Sequence, residues 1–147
     1  MTTDPLRIAQ ILVTARTIAV VGLSRVAARP SNRVAQYMQQ QGYRIVPINP
    51  RYAGELVLGQ RCYATLADAA AALAQQGVQI EMVDCFRNAA DIPPLADAAI
   101  AIGAKCLWLQ RDIVHEAAAA KAQAAGLTVV MDRCLMVDHA LWLQASA

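Results

Sequence analysis

The stretch Thr17–Asn49 constrains the fold of this chain more than any other part of the sequence. An apolar run, Ile18–Val21, ends at Gly22 and a short polar loop, and a proline-serine pair then introduces a helical segment over about residues 31–41. A second apolar run, Tyr43–Ile48, follows the helix. Strand, glycine turn, helix and strand in this order predict a βαβ unit, whose two strands lie parallel in one sheet.

The first turn of this unit has the composition of a phosphate site. In parallel α/β sheets, ligands bind beyond the carboxyl ends of the strands, where the helix N-terminus directs unpaired N–H groups at the ligand. Glycine lets the backbone approach the ligand closely, and hydroxyl and guanidinium groups add donors and positive charge. The residues concerned are Gly22, Ser24, Arg25, Arg29, Ser31 and Arg33. The alternative is a simple tight turn with solvated arginines.

The rest of the chain alternates apolar runs with helical segments. Further strands are predicted over 80–85, 105–109 and 127–131, with helices over 66–76, 91–102 and 113–125. One short strand, 56–58, is expected within an irregular loop. This alternation predicts an α/β fold, a three-layer αβα sandwich with a five-stranded, mostly parallel sheet in a single domain. Residues 1–16 are expected to form a capping helix, 17–135 the domain itself, and 136–147 a helix packed on it.

Composition excludes several classes of protein. The net charge of +2 in 147 residues is too small for a general nucleic-acid binder, and no apolar run reaches 18 residues, so no membrane interaction is expected. A secretory signal has a basic segment followed by an apolar core, and the N-terminal residues of this sequence do not show that pattern. The four cysteines form no CxxC pair or zinc spacing. A cytoplasmic protein with reduced thiols is the simplest interpretation.

Two further strand ends carry polar residues. Asn49, Pro50 and Arg51 follow the second strand, where an NAD-binding fold would place an acidic residue on the ribose. An arginine at this position instead suits a ribose that bears an extra phosphate. Phe86 and Arg87 follow the third strand, and Phe86 is expected either beneath a flat ligand or as a plug over the core.

The chain offers no recognisable catalytic constellation. His115 and His139 lie in no triad-like or metal-like cluster, so a solvated or structural role is expected for both. The acidic residues near strand ends have structural interpretations as well. Of these, Asp91 and Asp112 are expected to cap helices, and Asp84 and Asp132 to pair with nearby arginines.

Seven segments, taken in order, resemble the small stand-alone proteins of the CoA-binding domain family. They are TIAVVGLS at 17–24, RPSNRVAQYM at 29–38, GYRIVPINP at 42–50, LGQRCYATLAD at 58–68, EMVDCFRNAADIP at 81–93, IGAKCLWLQ at 102–110 and AGLTVVMDRC at 125–134. This family is similar to the N-terminal domain of the succinyl-CoA synthetase alpha subunit. The resemblance covers nearly the whole chain and implies a Rossmann-like domain that binds coenzyme A.

Site roles follow from the same resemblance. It implies that Gly22, Leu23, Ser24 and Arg25 hold the diphosphate, that Asn49, Pro50 and Arg51 flank the adenosine with Arg51 near the 3′-phosphate, and that Phe86 and Arg87 line the path of the pantetheine arm. One departure is the pair Arg111-Asp112, where an apolar residue and a glycine are usual. The phosphorylated histidine of the synthetase lies in a domain that this sequence lacks.

The predicted function is a module that binds CoA or an acyl-CoA, without evident catalytic residues, acting as a carrier, sensor or partner subunit. Cys85 and Cys134, beside arginines at strand ends, are either inert or able to form a mixed disulfide with the CoA thiol. One alternative is an NADP-dependent reductase, although no G-x-G-x-x-G occurs. Another is an interaction protein with a vestigial pocket. A homodimer or an unidentified protein partner is compatible with the apolar faces and Trp142.

Overall fold

The computed structural model describes residues 2–147, so Met1, the first residue of the predicted capping segment, lies outside the described residues. Seven strands and six helices alternate along the chain. They are α1 (Pro5–Thr14), β1 (Thr17–Val21), α2 (Pro30–Gln40), β2 (Arg44–Ile48), β3 (Leu56–Val57), β4 (Gln60–Arg61), α3 (Leu66–Ala74), β5 (Met82–Cys85), α4 (Ile92–Ala101), β6 (Cys106–Leu109), α5 (Glu116–Ala124), β7 (Thr128–Val130) and α6 (Leu135–Ser146). Short 3₁₀ turns occupy Pro50–Tyr52 and Ala89–Asp91. No helix among these residues is both long enough and apolar enough to cross a membrane.

Five strands form one sheet in the order β2-β1-β5-β6-β7, and every neighbouring pair is parallel. The strands are apolar on both faces because helices cover both faces, as is typical of parallel sheets. The chain moves outward from β1 to β2 and then returns to the other side of β1 with β5. Strand order therefore reverses between β1 and β5, and the carboxyl ends of these two strands border the crevice where α/β folds bind ligands.

Two apolar layers enclose the sheet. Along β1, Ala19 and Val21 point into the layer formed by α3, α4 and α5, whereas Ile18 and Val20 point into the layer formed by α1, α2 and α6. The alternation follows from the two-residue period of a strand. Leu12 of α1 and Leu135 of α6 are fully buried in the second layer, so both terminal helices pack on the same face as α2.

The predicted α/β architecture and the five-stranded sheet are confirmed, but two local predictions are wrong. The expected single strand over 56–58 is an antiparallel hairpin of β3 and β4 joined through Leu58 and Gly59, which both have positive φ. Helix α5 begins at Glu116 rather than near residue 113, because the backbone of His115 is extended, at φ −150° and ψ 97°, and Asp112 lies in the left-handed region at φ +70°. Asp112 therefore does not cap this helix. The cap is His115, whose Nδ1 accepts the N–H of Ala118 at 3.1 Å.

Candidate functional site

Strand β1 ends in a loop that is held against the start of α2 by short polar contacts. Ser31 Oγ accepts the backbone N–H of Ser24 at 2.9 Å, and Asn32 Nδ2 donates to the carbonyl of Ser24 at 2.8 Å. Ser24 Oγ accepts the N–H of Val26. Both serine oxygens thus accept hydrogen bonds that shape the loop. Their hydroxyl groups can still donate a hydrogen bond to a ligand.

The same loop presents backbone donors. The N–H groups of Leu23, Arg25 and Ser31 donate to no acceptor among residues 2–147. Pro30 is the first residue of α2, where its missing N–H costs nothing, and the positive end of the helix dipole lies here. Unpaired donors at a helix N-terminus stabilise an anion. Leu23 is fully buried, backbone included, so the donors at this loop that lie near open surface are those of Arg25 and Ser31.

Gly22 is required by a packing contact in addition to any contact with a ligand. Its φ is +83°, and a Cβ at this position would lie 2.7 Å from the carbonyl oxygen of Phe86 and 3.0 Å from Cδ of Arg87. The N–H of Phe86 donates to the carbonyl of Val21, which draws the end of β5 against the end of β1. The group that approaches Gly22 closely is therefore the end of the neighbouring strand, β5.

Asn49 connects the loops that follow β1 and β2. Its Nδ2 donates to the carbonyl of Leu23 at 3.1 Å, and its Oδ1 accepts the N–H of Arg51 at 3.0 Å. This second bond begins the 3₁₀ turn Pro50–Tyr52. The Asn49 side chain therefore fixes the position of Arg51 relative to the Gly22 loop.

Positive charge collects around the ring of Tyr52, which is only 7% exposed. The guanidinium of Arg25 lies 4.8 Å from the centre of this ring and that of Arg51 lies 5.9 Å from it. Glu55 forms an ion pair with Arg25 at 2.6 Å, whereas Arg29 and Arg51 have no carboxylate partner in the part of the chain that the structure describes. The charge available to an anion here is thus chiefly that of Arg29 and Arg51.

These residues line a cleft of about 500 Å³, here called the glycine-loop cleft. Seven of the predicted site residues lie on its wall: Gly22, Ser24, Arg29, Ser31, Asn49, Arg51 and Phe86. Of the remaining four, Arg25 is turned toward Tyr52 and Glu55 and Leu23 is buried. Pro50 lines a separate apolar hollow of about 350 Å³ between β2, α3 and α4, where Gly22 and Arg87 also lie.

A second cleft, of about 600 Å³, adjoins the first and is called here the β6 cleft. The two clefts share Pro30 and Phe86 on their walls, so they lie side by side across the carboxyl ends of β1, β5 and β6, and together they are called here the depression. The β6 cleft is further lined by Val34, Arg87, Asn88, Ala89, Gln110, Arg111, Asp112, Ile113 and Cys134. The unusual pair Arg111-Asp112 therefore borders the same depression.

Beneath this cleft lies a buried carboxyl group. Asp84 on β5 is fully buried, and its Oδ1 accepts Nε2 of Gln110 at 2.7 Å. Its Oδ2 has no hydrogen-bond partner among the described residues. Burial raises the pKa of Asp84 to about 7, although the hydrogen bond from Gln110 acts in the opposite direction. The predicted arginine partner is absent because Asp84 points into the core layer that contains Met82 and Trp108.

The remaining acidic side chains have structural partners. Asp132 Oδ1 accepts the N–H of Asp112 at 2.6 Å and so fixes the Arg111-Asp112 loop, rather than pairing with an arginine. Asp91 precedes α4 without making a side-chain cap, and it lies 3.3 Å from Arg87. That exposed pair leaves Arg87 able to exchange its partner for a ligand, because such pairs contribute little stability.

The cysteines differ sharply in accessibility. Cys62, Cys85 and Cys106 are buried, and burial raises the pKa of each thiol, that of Cys85 well above its usual value. A thiolate at Cys85 is therefore excluded at neutral pH, which removes this residue from the predicted pair of reactive cysteines. Cys134 is only partly buried and lies on the wall of the β6 cleft. No group of histidine, cysteine or acidic side chains within residues 2–147 has the geometry of a metal site.

Three residues of this region were not predicted from the sequence as parts of the site. Gln110 directly follows an apolar strand, so the strand-end rule that selected Asn49 also applies to it. Tyr52 and Asn32 carry no comparable signal. Asn32 contributes through a hydrogen bond inside the loop, and Tyr52 through packing beneath two arginines.

The sequence of this chain is similar to known proteins over most of its length. A sequence model of the CoA binding domain matches residues 16–140. The uncharacterised protein YneT of Bacillus subtilis (strain 168) is 34% identical over 134 residues, which cover 91% of this chain and 93% of YneT. These matches span the glycine-loop cleft and the β6 cleft.

Two solved structures are also similar. A hypothetical protein from Pyrococcus horikoshii OT3 is 34% identical with a TM-score of 0.85, and the match covers 95% of this chain and 92% of that one. The structure described as cell-free ID.343 from Thermus thermophilus is 32% identical with a TM-score of 0.84, with 95% and 99% of the two chains covered. The shared fold thus includes the terminal helices.

Proposed function

Because this chain belongs to the CoA binding domain family, we propose that it is a binding module for coenzyme A or an acyl-CoA. In this proposal the module acts as a carrier, a sensor or a partner subunit, since no catalytic constellation is recognisable in the sequence. We also propose a cytoplasmic protein, since its four thiols are unpaired. The observation that carries the proposal is the adjacency of two clefts at the point where strand order reverses.

The shape and charge of this depression suit a long ligand with an anionic centre. The diphosphate would lie at the N-terminus of α2, where the N–H groups of Arg25 and Ser31 and the charge of Arg29 are available. The adenosine 3′-phosphate would lie at Arg51, which Asn49 positions. An arginine binds a phosphate through two charge-assisted hydrogen bonds.

The pantetheine arm would pass Phe86 and Arg87 and enter the β6 cleft. Phe86 is half-buried and forms part of the wall of both clefts. Val34 and Ile113 give the β6 cleft apolar walls, and Asn88 and Gln110 give it polar groups. That combination matches an arm that alternates methylene groups with amides.

Calorimetric titration of the ligand-free protein with CoA, dephospho-CoA, NADP and NAD tests the proposal. CoA is expected to bind most tightly. Dephospho-CoA, which lacks only the 3′-phosphate, is expected to bind about ten- to a hundredfold more weakly, because one charge-assisted contact contributes roughly 1.5–3 kcal/mol. Tighter binding of NADP than of CoA, or no binding of any of the four, would overturn the proposal.

A pair of variants locates the 3′-phosphate. Arg51→Gln is expected to remove most of the difference between CoA and dephospho-CoA. Arg44→Gln is the matched control, because Arg44 begins β2 and therefore lies at the opposite end of the strand. It should leave both affinities unchanged. Equal effects of the two substitutions would show that only the overall charge of the protein matters.

A further inference from the structure

The β6 cleft leads from the predicted phosphate site to one accessible thiol. Cys134 lies on the wall of this cleft, and it is the one cysteine of the four that is not buried. No side-chain hydrogen bond within residues 2–147 involves its Sγ. The other three thiols are enclosed in the two core layers, so Cys134 is the one that a ligand in the depression can reach.

Cys134 also lies at the start of a helix. It is the N-cap residue of α6, a helix of 12 residues, and its side chain makes no capping bond. At an N-cap, a side-chain acceptor receives N–H groups of the first turn, so the Sγ of Cys134 lies beside donors that its own side chain does not use.

A second polar group belongs to the same cleft. Gln110 is 4% exposed and lines the cleft, and its Nε2 is held by Asp84 at 2.7 Å. Its side-chain oxygen accepts no hydrogen bond from the described residues. This oxygen is also not fully buried, so it keeps some exposure. This oxygen is positioned to accept an N–H from an amide-bearing arm that fills the cleft.

We propose that Cys134 captures the thiol end of coenzyme A as a mixed disulfide, by exchange with a CoA disulfide bound in the depression. The inference rests on the proposed function. Gln110 holds an amide of the arm, so that the disulfide lies next to Cys134. The module then acts as a reporter of oxidised CoA, because the adduct is retained until a reducing thiol removes it.

The exchange needs no further oxidant. The thiolate of Cys134 attacks one sulfur of the CoA disulfide, so that a protein–S–S–CoA bond forms and the CoA–S–S–CoA bond breaks. The second CoA leaves as a thiolate and takes up the proton that Cys134 released. Reduction by a thiol reverses the reaction through the same kind of step.

The test compares two disulfides by intact-protein mass spectrometry. Reduced, desalted protein is incubated with CoA disulfide or with cystamine, which has the same reactive end but no nucleotide. CoA disulfide is expected to label the protein once, and at least about tenfold faster than cystamine at equal concentration, because binding aligns the reacting sulfurs. Adenosine 3′,5′-bisphosphate should slow labelling by CoA disulfide and leave labelling by cystamine unchanged.

Peptide mapping and one variant locate the adduct. Cys134→Ser should remain unlabelled and should fold normally, since serine is favoured at an N-cap. Calorimetry of the same variant with reduced CoA then measures whether its cleft still binds the ligand. If reduced CoA binds but CoA disulfide reacts no faster than cystamine, or if Cys134→Ser is still labelled, the inference is overturned and the proposed function stands. If reduced CoA does not bind, the proposed function fails and the inference fails with it.

Discussion

At the scale of single residues, Gly22 is subject to two constraints, of which the sequence indicated one. The sequence indicated a glycine that lets a ligand approach the backbone. The structure gives this glycine a second constraint, because the carbonyl oxygen of Phe86 occupies the space that a Cβ would need. The loop and the end of β5 are therefore fitted to each other before any ligand binds.

Gly22→Ala is expected to destabilise the protein more than Gly42→Ala. Both glycines have positive φ, at +83° and +98°, but a Cβ on Gly42 would meet no atom within 4 Å. The control thus measures backbone strain alone, and the difference measures the contact with Phe86. We expect this difference to be about 1–3 kcal/mol, from urea unfolding. Equal losses for the two variants would mean that the strand end moves aside freely.

Asp84 could not be identified from sequence as a buried acid, because a carboxylate at a strand end usually faces solvent or an arginine. Its burial makes stability depend on pH. The pKa of Asp84 is about 7 in the folded protein against an ordinary value of 3.8. Between pH about 4 and about 7, the Asp84 carboxyl group is ionised in the unfolded chain and keeps its proton in the folded protein. The contribution of Asp84 is therefore fully present below pH about 4 and is lost as pH rises toward about 7.

Asp84→Asn is expected to remove this dependence. Asparagine keeps an acceptor for Gln110 and does not titrate. The free energy of unfolding of the variant, relative to that of the wild type, should rise by up to about 1.4 kcal/mol for each pH unit between about 4 and 7, and level off above that range. Urea unfolding at several pH values measures it. A difference that stays constant across this range would show that Asp84 is already ionised in the folded state.

At the scale of elements, the sequence indicated the existence of each main helix and strand more reliably than its ends. The loop before α5 contains a left-handed residue, Asp112, whose N–H donates to the carboxylate of Asp132, 20 residues away. A local sequence pattern reveals neither the left-handed backbone of Asp112 nor its bond with Asp132. The β3–β4 hairpin was missed as well, because two strands of two residues show no alternation and depend on positive φ at Leu58 and Gly59.

His115 tests the observed start of α5. His115→Ala should lower the free energy of unfolding by about 0.5–2 kcal/mol, because the N–H of Ala118 loses its acceptor. His115→Asn restores a side-chain oxygen at the N-cap and should recover most of the loss. Urea unfolding at neutral pH compares the three proteins. An asparagine variant as unstable as the alanine variant would indicate that the ring contributes by packing instead.

At the scale of the whole molecule, the order of the strands determines where the clefts lie. The first βαβ unit, which the sequence predicts, fixes β1 and β2 side by side. The return to β5 on the other side of β1 then creates the crevice between Gly22 and Phe86. Alternating apolar runs predicted the five-stranded, mostly parallel sheet but not the order of its strands. The adjacency of the glycine-loop cleft and the β6 cleft also depends on side chains that only the structure brings together.

Ligand binding should stabilise the whole domain. CoA at about a hundred times its dissociation constant is expected to add about 2.7 kcal/mol to the free energy of unfolding, and to raise the melting temperature by several degrees. Thermal unfolding followed by circular dichroism measures the shift. The Arg51→Gln variant at the same CoA concentration should show a smaller shift. An unchanged melting temperature of the wild type at millimolar CoA would argue against binding to the folded state.

A crystal structure of the protein with CoA would show whether one CoA molecule occupies both clefts. We expect the diphosphate at the N-terminus of α2, the 3′-phosphate within hydrogen-bond distance of Arg51, and the arm past Phe86 toward Gln110 and Cys134. Density for CoA in another place, such as the groove between α1 and α6, would contradict this expectation. So would an arm that turns away from the β6 cleft into solvent.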